Sequence, residues 1–158
     1  VYLWKKRHDE AIEQFEKAVS LNPNDADALS SLGGALVFSG LPEKALGYLE
    51  KAIRLNPNYP EYYIFNLGQA FFQLKMYEES VTALHKTVIK NPNFMPAHYV
   101  LAACYGHLGK QEFAKTKAEE VRRMIPGFSI KGCFEILPFK YEDDFKHFAE
   151  GLRKAGLY

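Results

Sequence analysis

The sequence predicts an all-α chain in which antiparallel helix pairs stack into an α-α superhelix closed by a C-terminal helical cap. Three observations carry that prediction. The chain matches itself at an offset of 34, with Ala11 on Ala45, Phe15 on Leu49, Ala18 on Ala52 and Pro23 on Pro57. The offset becomes 35 from Gly33 to Gly68 and from Pro57 to Pro92, then returns to 34 from Pro92 to Pro126. Within each period, apolar residues recur at helical spacing with charges opposite, and a glycine or proline falls at most of the breaks. A period in this range marks a stack of supersecondary units, none of which can bury its apolar face alone.

The elements follow in order. Residues 8–21 carry apolar side chains at Ala11, Ile12, Phe15, Ala18, Val19 and Leu21, one helix face that matches the second half of a unit. The first half of that unit is missing except for Tyr2, Leu3 and Trp4, so the first repeat is truncated, and Val1 in place of methionine predicts residues upstream. Residues 24–39 form the next helix, capped by Asn24 or Asp25, with acids in the first turn where they complement the helix dipole. Gly40 ends that helix and Pro42 opens the following one, where a missing N–H costs nothing. The second helix runs to about residue 55 and stops before Asn56-Pro57. Further pairs are expected near 60–74 and 77–90, and near 95–108 and 111–124, with Pro60 and Pro96 in first-turn positions. The extra residue between Pro57 and Gly68 is placed in the turn at 58–60, where it spares the phase of both helices.

After Gly127 the period lapses. Residues 129–137 form a short helix ended by Pro138. A second apolar stripe, Tyr141, Phe145, Phe148, Ala149 and Leu152, ends at Gly156 with Arg153 and Lys154 in the last turn. This tail is expected to cover the exposed apolar end of the stack. The resulting division is an array at 1–128 (partial repeat 1–25, repeats 26–60, 61–94 and 95–128) followed by capping helices at 129–158.

Composition narrows the function classes. With 47% hydrophobic and 25% charged residues and a net charge of +1, nothing draws the chain toward nucleic acid or an acidic membrane surface. Two cysteines, Cys104 and Cys133, are too few for a disulfide framework and favour a reducing compartment, with the cytoplasm as default location. No apolar run is long enough to span a bilayer.

Residues at fixed places in each period resemble the tetratricopeptide repeat. The second unit supplies Leu29, Leu32-Gly33, Leu36, Ala45, Leu49, Ala52 and Pro57. The third supplies Ile64, Leu67-Gly68, Phe71, Ser80, Leu84, Thr87 and Pro92. The fourth supplies His98, Leu101-Ala102, Tyr105, Ala114, Ala118, Val121 and Pro126. Thr87 and Val121 depart from the small residue wanted where helices cross, and predict looser packing in the third and fourth units.

The resemblance implies a non-enzymatic scaffold that binds a protein or peptide in a groove lined by the first helix of each unit. The implied groove residues are Asp27, Ser30, Gly34, Val37 and Phe38 in the second unit. In the third they are Tyr62, Phe65, Gln69, Phe72 and Gln73, with Asn66 beside them. In the fourth they are Pro96, Tyr99, Ala103, Gly106 and His107. Some family members clamp acidic chaperone tails with lysine, arginine and asparagine. Those positions are Ser30, Gly34, Asn66, Pro96 and Val100, and only Asn66 fits. What stands instead is an aromatic groove of Phe38, Tyr62, Phe65, Phe72 and Tyr99, of the kind whose truncation costs about 2 kcal/mol at binding hot spots. The competing reading is that Phe38 and Phe72 only pack against neighbouring units. The expected binding set is therefore Phe38, Tyr62, Phe65, Asn66, Gln69, Phe72, Gln73, Tyr99 and His107.

The tail, from Pro138-Phe139-Lys140 through Asp144 to Glu150-Gly151-Leu152-Arg153-Lys154, resembles the segment after such arrays in some bacterial multidomain proteins, including ones with a class III adenylate cyclase domain. There an aspartate caps the final helix where this chain has Tyr141. That resemblance implies a second function class, a regulatory or self-associating module of a larger enzyme whose groove its own protein fills. Self-association would run through the truncated first repeat.

Catalytic patterns are missing from the sequence. Gly33-Gly34 falls inside a helix at repeat positions, and no phosphate-cradling loop follows a strand. Cys104 and His107 are one turn apart, but a metal site or an activated thiol needs a third converging group. Glu142-Asp143-Asp144 suits a helix N-terminus, and Lys5-Lys6-Arg7 a boundary turn. No metal and no cofactor is expected.

Overall fold

A computed structural model describes residues 7–158 and contains nine helices and no strand among them. The Tyr2-Leu3-Trp4 remnant and Lys5-Lys6 lie outside the described residues. In chain order the helices are α1 (His8–Leu21), α2 (Ala26–Phe38), α3 (Pro42–Leu55), α4 (Glu61–Gln73), α5 (Tyr77–Lys90), α6 (Met95–Leu108), α7 (Gln111–Met124), α8 (Ile130–Ile136) and α9 (Glu142–Lys154). Asp25 caps α2 by accepting a hydrogen bond from the Ala28 amide, and Pro42 is the first residue of α3. The extra residue lies in the link from α3 to α4, which runs from Asn56 to Pro60, one longer than the links after α1 and α5.

Helices α2–α3, α4–α5 and α6–α7 form the pairs, and α1 packs Ile12, Phe15 and Val19 onto the first of them. Each pair turns through one residue in the left-handed region. Gly40 and Gly109 take it in the second and fourth units at φ of 76° and 67°, and Lys75 takes it in the third at 60°. A side chain there costs about 1 kcal/mol that glycine avoids.

The packing inside each pair is set where the two helices cross. A Cβ on Gly33 would lie 2.5 Å from Leu49, and one on Gly68 would lie 2.9 Å from Leu84. In the fourth pair Ala102 replaces the glycine and Ala118 replaces the leucine, and both are buried. Where the first helix carries a methyl in place of hydrogen, its partner thus carries a smaller side chain in place of leucine. Ser80, where the other units have alanine, donates its hydroxyl proton to the Gly68 carbonyl at 2.7 Å and receives the Cys104 thiol at 3.3 Å. Thr87 is fully buried and its hydroxyl is bonded to Ala83 O of its own helix; Val121 is fully buried as well.

The tail covers the array from its inner side. Helix α9 lies along α6, the first helix of the fourth pair, so closely that a Cβ on Gly151 would stand 2.6 Å from the Ala103 carbonyl oxygen. A Cβ on Gly106 would collide with the Gly151 carbonyl in return. The segment between α8 and α9 then crosses to the other end of the array. Phe139 packs edge-on against Phe38 with centroids 5.4 Å apart, and the Lys140 amide donates to Phe38 O at 2.9 Å. The Lys140 ammonium reaches Asp9 of α1 at 2.7 Å. Tyr141 precedes α9 without a side-chain cap. The chain end returns to α7, where Arg122 binds the Gly156 carbonyl.

Replacing Gly106 with alanine should cost about 2–3 kcal/mol in urea denaturation, because the added methyl meets backbone rather than a movable side chain. Gly47 of α3 has nothing within 4 Å of its Cβ position. There the same change should add about 0.5–1 kcal/mol through helix propensity.

Candidate functional site

The first helices α2 and α4, the start of α6 and the inner side of α1 enclose an apolar cavity of about 580 Å³. Its size is within the range of known ligand pockets, and among the described residues its wall holds no charged side chain. Phe38, Tyr62, Phe65, Phe94, Phe15 and Leu137 are its large apolar and aromatic lining residues, and Ser31, Gln14 and Asn66 its polar points. Gly34 gives the cavity depth beside Asn66, whose Nδ2 would stand 2.8 Å from a Cβ there.

The structure divides the nine residues expected from sequence. Phe38, Tyr62, Phe65 and Asn66 all line the cavity. Phe38 and Phe65 are each 6% exposed, the second tilted against Phe94 with centroids 5.0 Å apart. Tyr62 is half-buried, and Asn66 donates from Nδ2 to the Ser30 carbonyl at 3.2 Å. Phe72 and His107 lie under α9. Phe72 is fully buried against Phe148 and His147, and His107 donates from Nε2 to the His147 carbonyl at 2.9 Å. Gln69 is buried and Gln73 half-buried; Gln69 Nε2 and both amide atoms of Gln73 have no hydrogen-bond partner among the described residues. Tyr99 is half-buried against Phe128, off the cavity.

One hydrogen-bonded cluster stiffens the rim. Tyr62 and Tyr63 both donate to Asp27 Oδ1, at 2.7 and 2.5 Å. Those two bonds, Tyr63 first, hold the Asp27 carboxyl below its ordinary range. Burial, with the Asp27 bond second, pushes the Tyr63 phenol up to about 12, and the same causes push Tyr62 higher still. Asp27 thus ties α2 to α4 at the mouth.

The remaining candidates for chemistry are packed. Cys104 is fully buried, which pushes its thiol up to about 12 and away from nucleophilic use. Among the described residues no group of three or more histidine, cysteine, aspartate or glutamate side chains is placed to hold a metal ion, and no helix is long and apolar enough to cross a membrane.

Sequence reasoning missed the α1 wall, Ala11, Gln14 and Phe15, because the period makes that helix the second of a pair and the implied groove is built from first helices. It also missed that the small groove residues Ala103 and Gly106 are the seat of α9. The signal was present: two small residues at groove positions of one helix, and Gly151 inside the apolar stripe of another.

The architecture is that of a helical-repeat scaffold, a class that works by binding along a curved surface. Tetratricopeptide-repeat models match residues 3–65 and 62–93, together more than half of the chain, and the protein belongs to the tetratricopeptide-repeat family, a family of protein–protein interaction scaffolds. Hsp70-Hsp90 organizing protein 3 of Arabidopsis thaliana is 30% identical over 152 residues, or 94% of this chain. The chain spans about a quarter of that relative's length (26%). Among solved structures, MamA is 26% identical with a TM-score of 0.69, covering 96% of this chain and 88% of that one. PilW, a type IV pilus biogenesis factor, is 19% identical with a TM-score of 0.74, covering 98% and 70%, a likeness of fold.

Truncating the two kinds of groove residue should separate them. Phe72→Ala should cost about 3–5 kcal/mol in urea denaturation, as a fully buried aromatic. Tyr62→Phe, which loses one bond at the rim, should cost about 1 kcal/mol.

Proposed function

We propose that the protein is a non-enzymatic interaction module that binds an apolar segment of a protein partner in the cavity between α1, α2 and α4. The observation that carries this reading is the uncharged, aromatic wall of that cavity. Burying an aromatic or aliphatic anchor there removes apolar surface from water on both sides, at about 25 cal/mol per Å². Among the described residues the wall carries no cationic side chain to pair with an acidic tail, and its aromatic surface favours an apolar ligand. A relative named for organising Hsp70 and Hsp90 fits the general role and leaves the ligand open. The reading takes residues 1–128 as the array and 129–158 as its cap. Its anchor-contacting residues are Phe38, Tyr62, Phe65 and Asn66; Gln69, Phe72, Gln73, Tyr99 and His107 serve the packing around them.

A second reading is favoured by one observation, the seating of α9 and Phe139 on the inner face. The groove then serves its own chain in part, and the module regulates or self-associates within a larger protein, such as one carrying an adenylate cyclase domain upstream. Light scattering over a concentration series tests its self-association arm: growth of the mass toward a dimer supports it, and a constant monomer mass rejects it.

The cavity reading is tested with a displayed random-peptide library selected on the immobilised protein. Peptides with spaced aromatic or aliphatic anchors should be enriched. Ser31, half-buried at the wall, should abolish their capture when changed to arginine, with the far-ultraviolet circular dichroism unchanged. Enrichment of acidic tails, or equal capture by Ser31→Arg, would count against it. Ser31 is preferred to Phe65, whose truncation would also loosen its packing on Phe94.

A further inference from the structure

Helix α9 is seated over a pair of imidazoles. His107 of α6 and His147 of α9 stack with ring centroids 4.4 Å apart and planes 18° apart. The His107 Nε2–H is committed to the His147 carbonyl, and His147 Nε2 shares a hydrogen bond of 3.1 Å with the Tyr77 hydroxyl. Phe72 closes the site 5.2 Å from His147, and Tyr77 stacks on His107 at 5.0 Å. The charges that face the pair are chiefly of one sign. Lys75, in its strained turn between α4 and α5, and Lys154 of α9 both disfavour an added proton. Glu150 of α9 favours one, but its carboxylate is held by Lys154 at 2.7 Å. The other titratable neighbours are Tyr77 of α5 and, through it, Cys104 of α6, both uncharged near neutrality.

We propose that α9 is an acid-released latch: protonation of the stacked His107–His147 pair drives α9 off the inner face and uncovers a helix-docking surface made by Phe72, Ala103, Gly106 and His107. The reading stands whether or not the cavity beside it binds a peptide. A proton on either ring places a positive charge in a partly desolvated site, against a second imidazole and near two lysines. Burial, then His107 and Lys75, pushes His147 down to about 4, and burial lowers His107 as well. Histidines depressed in the seated state stabilise it above their free value of about 6.5, and that stabilisation is lost as the pH falls toward about 4. Asp144 of α9 acts in the opposite sense. Its buried Oδ2 faces Gly40 and its carboxyl is raised by burial and by Asp143, so acid relieves it. The histidine substitutions below therefore isolate the latch from that opposing group.

The surface uncovered suits a helix with a small residue at its centre and an aromatic residue three positions before it. Gly151 and Phe148 of α9 have that pattern, and a Cβ at 151 would meet the Ala103 backbone and the His107 ring. Helices α2 and α3 pack mainly on each other and on α1 and α4 and meet α9 at the Gly40 turn, so their pairing survives when α9 leaves.

The test is amide hydrogen exchange by mass spectrometry on the full chain, corrected for intrinsic rates. Between about pH 7 and about pH 5, protection of residues 142–154 should fall roughly ten-fold, a figure discounted for the half-exposure of His147, while residues 26–55 keep theirs. His147→Gln and His107→Gln should remove the difference. Parallel loss in both regions, or the same selective loss in both variants, would overturn the proposal. Should neither variant fold, titration of the unsubstituted chain by proton NMR decides. Both imidazoles titrating near 6.5 in the folded protein would reject the latch, and both lying well below it would support it.

Discussion

How close two helix backbones can come is the constraint on which this molecule rests. In the second and third units a glycine on the first helix admits a leucine from the second, Gly33 against Leu49 and Gly68 against Leu84. The leucine fills the space that the missing side chain leaves, and both members of the pair are buried. The fourth unit has alanine on each side, Ala102 and Ala118, and both are buried. The proline after each pair, the left-handed turn within it and the apolar stripes on its helices all presuppose this crossing. A helix held two or three ångströms further out would present its stripe to water.

The tail uses the same device in a second direction. Gly106 and Gly151 bring α6 and α9 into backbone contact on the inner face, and the aromatic chain from Phe38 through Phe139 and Phe148 to Phe72 grows from that anchor. Part of the surface that a scaffold of this family offers to partners is therefore covered. Beside it lies the cavity toward α1, which Ala11 and Phe15 help to line. Covered and open halves share one apolar lining, so the state of the first bears on access to the second.

The fold was legible in the sequence because its determinants are local and repeated. The period and its closing proline recur in each unit and a glycine in two of the three pairs, so each copy checks the others. Asp25, Gly40, Pro42 and Gly156 act where turn and cap chemistry places them. The site was legible in part. Phe38, Tyr62, Phe65 and Asn66 could be assigned to one wall because the period carries them there. The fate of Phe72 and His107 could not be read the same way, since their burial depends on a helix far along the chain with no counterpart in the repeat. A small residue at a groove position reads as an open floor when only the array is considered, and as a landing place once a glycine in another stripe is set against it. Tyr99 turned on Phe128, one residue past Gly127 where the period lapses.

The matched sizes at the crossings bear on how such an array can evolve. Ala102 faces Ala118 where its neighbours set glycine against leucine. A recombination that joined α4 to α7 would leave a void, and one that joined α6 to α5 would force alanine onto leucine. Helices therefore cannot be traded singly between units. The heritable module is the hairpin, and duplication or shuffling that respects hairpin boundaries keeps the interior intact while the outward residues are free to diverge.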